Sequence, residues 1–313
     1  MVDAIRLGYL VFETARLPRW REFCSRLLGL PEPLANPDGS LGYQLDDAAA
    51  QRLIVAPGAR EELGAIGLEC ASEAALARVC ERVSAAGVGV SAASEAVRAA
   101  RRVQRVCHFQ DPAGNRIEAF VAPEAPEAGF ASEHFPLGFE TGELGMGHAA
   151  LIVRDVAATE RFYVGVLGFG VSERLAKRIG SFELRGVFLH CNRRHHSLAL
   201  FNLPLSRRLH HFMLQARELR AVGLAFERAR ALGVPLSLSL GQHADPDSTF
   251  SFYGVTPSGS EFEIGAGSRE IEPAHWREIA SDTTSAWGHE PTLRLKLQTA
   301  RGLIAARLQA GMR

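Results

Sequence analysis

The sequence has no charge excess, no long apolar run and no paired cysteine spacing, and each absence excludes a class of protein. Its 35 Lys and Arg residues equal its 35 Asp and Glu residues, which favours neither nucleic acid nor an acidic membrane surface as partner. A small molecule is the expected partner. No stretch approaches the roughly 20 uninterrupted apolar residues that a membrane-spanning helix needs, and the opening MVDAIRLGYLVFE alternates like a strand rather than resembling a signal peptide. A soluble, cytoplasmic protein is expected. Cys24, Cys70, Cys80, Cys107 and Cys191 are odd in number and include no CxxC pair, so buried free thiols in a reducing compartment fit better than a disulfide framework.

The chain does have length and internal repetition. At 313 residues with 47% hydrophobic content, it can bury two domain-sized cores. Arg6 to Leu30 matches Met146 to Phe169: an alternating strand, an amphipathic helix, then Leu-Gly and an apolar residue. In this match Tyr9 falls opposite His148. Asp155 suits a helix cap, Pro18 a first helical turn, and Gly29 and Gly168 C-terminal stops. A second pair, Ala65 to Val90 and His211 to Leu236, follows the same plan, and the closing segments match as well: DPAGNRIE ending at Glu118 parallels TPSGSEFE ending at Glu263. Short alternating runs such as 181–190 and 197–201 supply further strands. Each half therefore contains two modules of strand, helix and about three strands. The expected fold is α+β, with each pair of βαβββ modules forming a curled, mostly antiparallel sheet. Residues 122–141, rich in Pro, Ala, Glu and Gly, read as a linker. The expected boundaries are 1–135 for a non-catalytic first domain with the start of the linker, 142–270 for a metal-binding second domain, and 271–313 for a partly helical tail.

Three potential metal donors occupy matching places in the repeat. His148 and His211 each lie three residues before a leucine, Leu151 and Leu214. His210 is out of that register, because a shift of one residue turns a strand side chain to the other face. In the final strand both Glu263 and Glu261 would face the same way, and spacing alone leaves the choice between them open. Two imidazoles and a carboxylate suit non-haem Fe(II) with open coordination positions. The first half offers Tyr9, Ala65 and Glu118 at the corresponding places, a set with no imidazole, so one half is expected to be catalytic and the other scaffold.

Around these residues the chain resembles the type I extradiol ring-cleavage dioxygenases of the vicinal oxygen chelate superfamily, particularly those acting on 2,3-dihydroxybiphenyl and similar catechols. The likeness covers roughly residues 5–290 and is carried by GMGHAAL around His148, CNRRHHSLAL around His196, RLHHFML around His211, and FSFYGVTPSGSEFEIG, which contains Tyr253 and Glu263. The family pattern puts three residues between the turn glycine and the carboxylate ligand, which selects Glu263 over Glu261. The resemblance implies Fe(II), or alternatively Mn(II), held by His148, His211 and Glu263. It implies His196 as the acid–base residue, Tyr253 as a hydrogen-bond donor to the substrate oxygen, and His243 as a catechol-orienting residue. It also implies a homo-oligomer. The sequence departs from the family at one place: eight residues separate His243 from the Phe252-Tyr253 pair where five to seven are usual, which leaves the placement of His243 and Asp245 open.

The resemblance implies that both atoms of O2 enter a catechol, such as a substituted or biaryl 2,3-diol, to give a hydroxymuconic semialdehyde-type product. Phe188, Leu189 and Phe212 are expected among the apolar residues of the pocket. The alternatives are another metal-dependent enzyme of the superfamily or a non-enzymatic protein that binds aromatic ligands on the same fold. The RHHS and SFYGVTPSG segments argue against the former, and the intact donor set argues against the latter.

Overall fold

The computed structural model describes residues 5–180, 182–297 and 299–302. In the first half, β1 (Ile5–Thr14), α1 (Leu17–Glu22), β2 (Leu34–Ala35), β3 (Leu41–Tyr43) and β4 (Leu53–Pro57) form one module. A second consists of β5 (Glu62–Cys70), α2 (Glu73–Ala85), β6 (Ser91–Ala92), α3 (Glu95–Arg101), β7 (Val103–Gln110) and β8 (Arg116–Pro123). The second half repeats the plan. Its first module is β9 (His148–Ile152), α4 (Val156–Gly165), β10 (Gly170–Ile179), β11 (Phe182–His190) and β12 (Leu198–Phe201). Its second is β13 (Leu209–Gln215), α5 (Leu219–Ala231), β14 (Leu236–His243), β15 (Phe250–Val255) and β16 (Glu261–Ala266), after which come β17 (Ile279–Ser281) and β18 (Ser285–Gly288).

Local chemistry sets the helix ends where the sequence places them. Pro18 sits in the first turn of α1, and the Asp155 carboxylate accepts from the Ala158 amide at 2.9 Å to cap α4. Gly168, with φ of 79°, follows α4, and Gly29, with φ of 59°, follows the π-helical turn Phe23–Leu27 that extends α1. In α2 the buried positions Ala75, Leu76, Val79 and Val83 recur at helical spacing, so one face packs on the sheet and the other meets solvent.

Strand order in the first sheet is β2-β3-β4-β1-β5-β8-β7-β6, and in the second β17-β10-β11-β12-β9-β13-β16-β15-β14-β18. In each half the opening strands of the two modules pair antiparallel at the centre (β1 with β5, β9 with β13), and each lies parallel to the last strand of its own module. The repeat is preserved residue for residue in the pairing. Tyr9 pairs with Gly67 and Gly67 with Glu118, just as His148 pairs with Met213 and Met213 with Glu263.

The tail differs from its sequence reading. Before any helix it contributes β17 and β18, which pair with β10 and β14 and widen the second sheet at both edges. The helical part of the tail is seen at 293–297 and 299–302, and residue 298 and those beyond 302 lie outside the described residues. None of the helices among the described residues is long and apolar enough to cross a membrane.

One apolar core runs through both halves. Phe12 meets Phe212 with ring centroids 5.4 Å apart, and Phe23 meets Phe262 at 5.1 Å. Burying each such ring stabilises the fold by about 1.5–3 kcal/mol. Leu189 and Phe212, expected at the pocket, are fully buried in this core instead, because the pocket opens on the other face of their strands. No disulfide occurs among the described residues. Four of the cysteines are buried, and Cys80, against expectation, is half-buried.

Candidate active site

The centre of the second sheet brings the three metal-type donors together. His148 opens β9, His211 is the third residue of β13, and Glu263 is the third of β16. His148 Nε2 lies 3.0 Å from His211 Nε2 and 3.2 Å from Glu263 Oε2, and His211 Nε2 lies 3.5 Å from the same oxygen. The close approach of β9 to β13 depends on Gly147. With φ of 134°, it occupies a place where a Cβ would fall 1.9 Å from the Met213 carbonyl oxygen. Gly259, with φ of 88°, makes the tight turn that reverses the chain into β16. Glu261 is also buried in β16 but stands outside this donor cluster.

The residues around the cluster suit a divalent cation. Glu263 is 1% exposed, and its carboxylate oxygens are faced by imidazole nitrogens at 3.2–3.5 Å. A buried carboxylate is costly unless a cation neutralises it. His210 Nδ1 lies 2.7 Å from His211 Nδ1, so His211 meets His210 through one ring nitrogen and turns the other, Nε2, towards His148 and Glu263. Burial, and then the neighbouring His210, hold the His211 imidazole well below the usual histidine range, so the ring is neutral, as a ligand must be. His210 itself is half-buried, lines the cavity and packs on Phe201.

His196 comes from the loop between β11 and β12. Its ring centroid lies 4.0 Å from that of His148, and its Nδ1 is 3.1 Å from His195 Nδ1. Burial, and then His148, depress its pKa well below the ordinary value. Arg194 anchors this loop. Its buried guanidinium donates to the carbonyls of Leu144 at 3.2 Å and Glu140 at 2.9 Å and to the Gln215 side chain, tying the RRHH turn to the linker and to the end of β13. His195 packs behind His196 rather than facing the cavity, with Trp276 and Phe188 near its ring.

Tyr253 lies on β15, opposite Glu263, and its hydroxyl is 2.8 Å from His243 Nε2. The same His243 nitrogen is 3.3 Å from Glu263 Oε1, while His243 Nδ1 donates to the Thr284 carbonyl at 2.6 Å. Burial acts to lower the His243 pKa, but the Glu263 and Asp247 carboxylates outweigh it and push the value up to about 9. The longer loop thus keeps His243 in the cavity and turns Asp245 away. Asp245 is exposed and accepts from the Ser248 hydroxyl at 2.5 Å.

Sequence reasoning missed several cavity residues. Asp247 lines the cavity, and its carboxylate groups with His195 and His196. Glu173 lines it too, accepts from the Ser281 hydroxyl, and is raised in pKa by burial. Thr283, Thr284 and Ser285, from the tail, complete the wall. No local motif marks these positions, because each depends on how a loop or tail strand closes over the sheet. The cavity has a volume of about 190 Å³, and Leu175, Leu184, Phe188, Phe201, Leu203 and Leu238 form its apolar side.

The first half presents the same strand positions with different chemistry. Tyr9 donates its hydroxyl to Glu118 at 2.7 Å, and the Arg101 and Arg116 guanidinium groups donate to Glu118 at 2.8 Å and 2.7 Å. There the positive charge comes from protein side chains, and the buried carboxylate is satisfied.

The fold and the donor geometry define a class, and comparison with known proteins narrows it. Residues 145–264 match the Glyoxalase/Bleomycin resistance protein/Dioxygenase superfamily, and residues 7–58 match the first domain of dihydroxybiphenyl dioxygenase. The chain is 41% identical to 3-methylcatechol 2,3-dioxygenase of Pseudomonas putida F1, over 91% of this chain and 97% of the relative. It is 36% identical to an iron-dependent extradiol dioxygenase of Rhodococcus jostii RHA1, over 91% and 96% of the two chains. The crystal structure of a halotolerant catechol dioxygenase superposes with a TM-score of 0.85 at 35% identity, covering 93% of this chain and 96% of that one. The chain belongs to the extradiol ring-cleavage dioxygenases of this superfamily and is an enzyme of that class.

Proposed function

We propose that this dioxygenase opens single-ring catechols that carry a small apolar substituent, with Fe(II) held by His148, His211 and Glu263. The meeting of these three donors at the floor of an apolar cavity carries the reading. When bound there, Fe(II) supplies Lewis acidity, open positions for diol and O2, and one-electron chemistry that oxygen requires. The protein does the rest. The neutral His196 imidazole is the group that takes a proton from the diol and returns one later. The Tyr253 hydroxyl, kept protonated by burial, donates a hydrogen bond to a substrate oxygen, and His243 orients both. Arg194 holds His196 in reach of the substrate by fixing its loop. The leucine and phenylalanine wall excludes water, so that ring-opening chemistry competes with few side reactions.

Cavity size supports the substrate class. An apolar cavity of roughly 150 Å³ accommodates benzene, so about 190 Å³ suits one ring with a methyl-sized group better than two rings. The similarity to 3-methylcatechol 2,3-dioxygenase supports the same choice. The match of the first module to dihydroxybiphenyl dioxygenase favours biaryl diols as the second reading. Protein reconstituted with Fe(II) should consume O2 with 3-methylcatechol and form a yellow ring-opened product, with kcat/KM about tenfold or more above that for 2,3-dihydroxybiphenyl. Equal or reversed preference would overturn the single-ring assignment, and absence of O2 uptake with every catechol would overturn the activity. We also propose two domains, 1–135 and 142–270, the first without metal, and self-association in solution. Exposed Leu219 and Leu224 on α5 support the latter.

A further inference from the structure

Outside the catalytic half, two thiols stand unusually close. Cys80 lies on α2, at the edge of the face that packs on the first sheet, and Cys107 lies on β7 in the core beneath it. Their Sγ atoms are 2.6 Å apart. That is well inside the roughly 3.5–4.0 Å at which unbonded heavy atoms settle, and only about half an ångström beyond the ~2.05 Å of a sulfur–sulfur bond. Cys80 is half-buried and Cys107 is 8% exposed, so a small oxidant reaches the first sulfur and the second waits behind it. The sequence distance between them is long enough for a link to restrict the unfolded chain appreciably.

We propose that Cys80 and Cys107 form a reversible disulfide that staples α2 to β7 when the protein meets a low-molecular-weight disulfide or peroxide. The hydrogen bond with Cys107 favours the Cys80 thiolate and leaves the proton on Cys107, the arrangement an attacking and a resolving thiol need. With a disulfide RS–SR, the Cys80 thiolate attacks one sulfur, forms a mixed disulfide and releases RS⁻. Cys107 then gives up its proton, attacks the Cys80 sulfur and expels the second RS⁻. In sum two protein thiols are oxidised by two electrons, and RS–SR is reduced to two RSH. With hydrogen peroxide, the Cys80 thiolate displaces hydroxide to form a sulfenic acid, and Cys107 closes the same bond with loss of water.

The test uses the full-length, metal-loaded protein treated with oxidised glutathione and, separately, with hydrogen peroxide. Thiols are then alkylated under denaturing conditions and the protein is analysed by intact mass and peptide mapping. Two of the five thiols should escape alkylation, with the peptides holding Cys80 and Cys107 linked and dithiothreitol restoring both. C107S should retain a glutathione adduct on Cys80, and C80S should form no link. The linked form should melt roughly 5 °C higher, with turnover unchanged because the staple lies in the first half. Full alkylation of all five thiols after both oxidants would overturn the proposal. So would a link that maps to Cys70.

Discussion

At the scale of single residues, burial decides chemical role. His211 and His196 are both removed from water and held neutral, which suits a ligand in one case and a proton carrier in the other. The two roles separate on substitution. His211→Ala should weaken metal retention by about 100-fold or more, read as metal content after dialysis. His196→Gln should keep its metal while turnover falls about 10²–10⁴-fold. A metal-replete H211A protein, or an H196Q protein at full speed, would contradict these roles. Residue types in register made His148 and His211 legible in the sequence, whereas Glu263 was chosen over Glu261 by the family resemblance. Asp247 was not legible, since it stands two residues beyond the expected Asp245 in a loop with no periodicity to predict which carboxylate turns inward.

Among elements, the central strands of the two halves form a natural comparison. β1, β5 and β8 place Tyr9 and Glu118 as β9, β13 and β16 place His148 and Glu263, yet the first set is closed by guanidinium groups. Burial alone would raise the Glu118 pKa, but Arg101, followed by Arg116 and Tyr9, pulls it below the ordinary value. A carboxylate depressed in the folded state contributes stability above its unfolded pKa of about 4.3 and loses it as pH falls through the folded value. Glu118→Gln should therefore cost about 3 kcal/mol or more at neutral pH by leaving Arg101 without its ion pair, and the deficit should shrink below about pH 4. Urea midpoints at several pH values measure this, and a deficit constant down to pH 3 would rule out the ion pair as its source. The tail strands were not legible at this scale. β17 and β18 are short, and their pairing depends on edges that only the finished second sheet offers.

For the molecule as a whole, the two repeats share one interior. Aromatic contacts such as Phe23 with Phe262 cross between halves, and Trp20 Nε1 donates to Ser258 Oγ, in the turn before the Glu263 strand, at 2.8 Å. Ser258 in turn donates to Glu61 at 2.5 Å, so the first half grips the hairpin that carries the carboxylate. Calorimetry should accordingly give one cooperative transition. Two transitions separated by more than about 10 °C would mean that the halves unfold independently.

The repeat, the βαβββ modules and the two histidine donors follow from sequence alone, because strand and helix periodicities are local and a duplicated pattern carries its register with it, while the resemblance singled out Glu263. The tertiary structure alone decided which further residues close the cavity. Asp247, Glu173 and Thr284 reach it through a loop, a strand next to the sheet edge and the turn between the tail strands, and such long-range packing leaves no period in the chain for a reader to find.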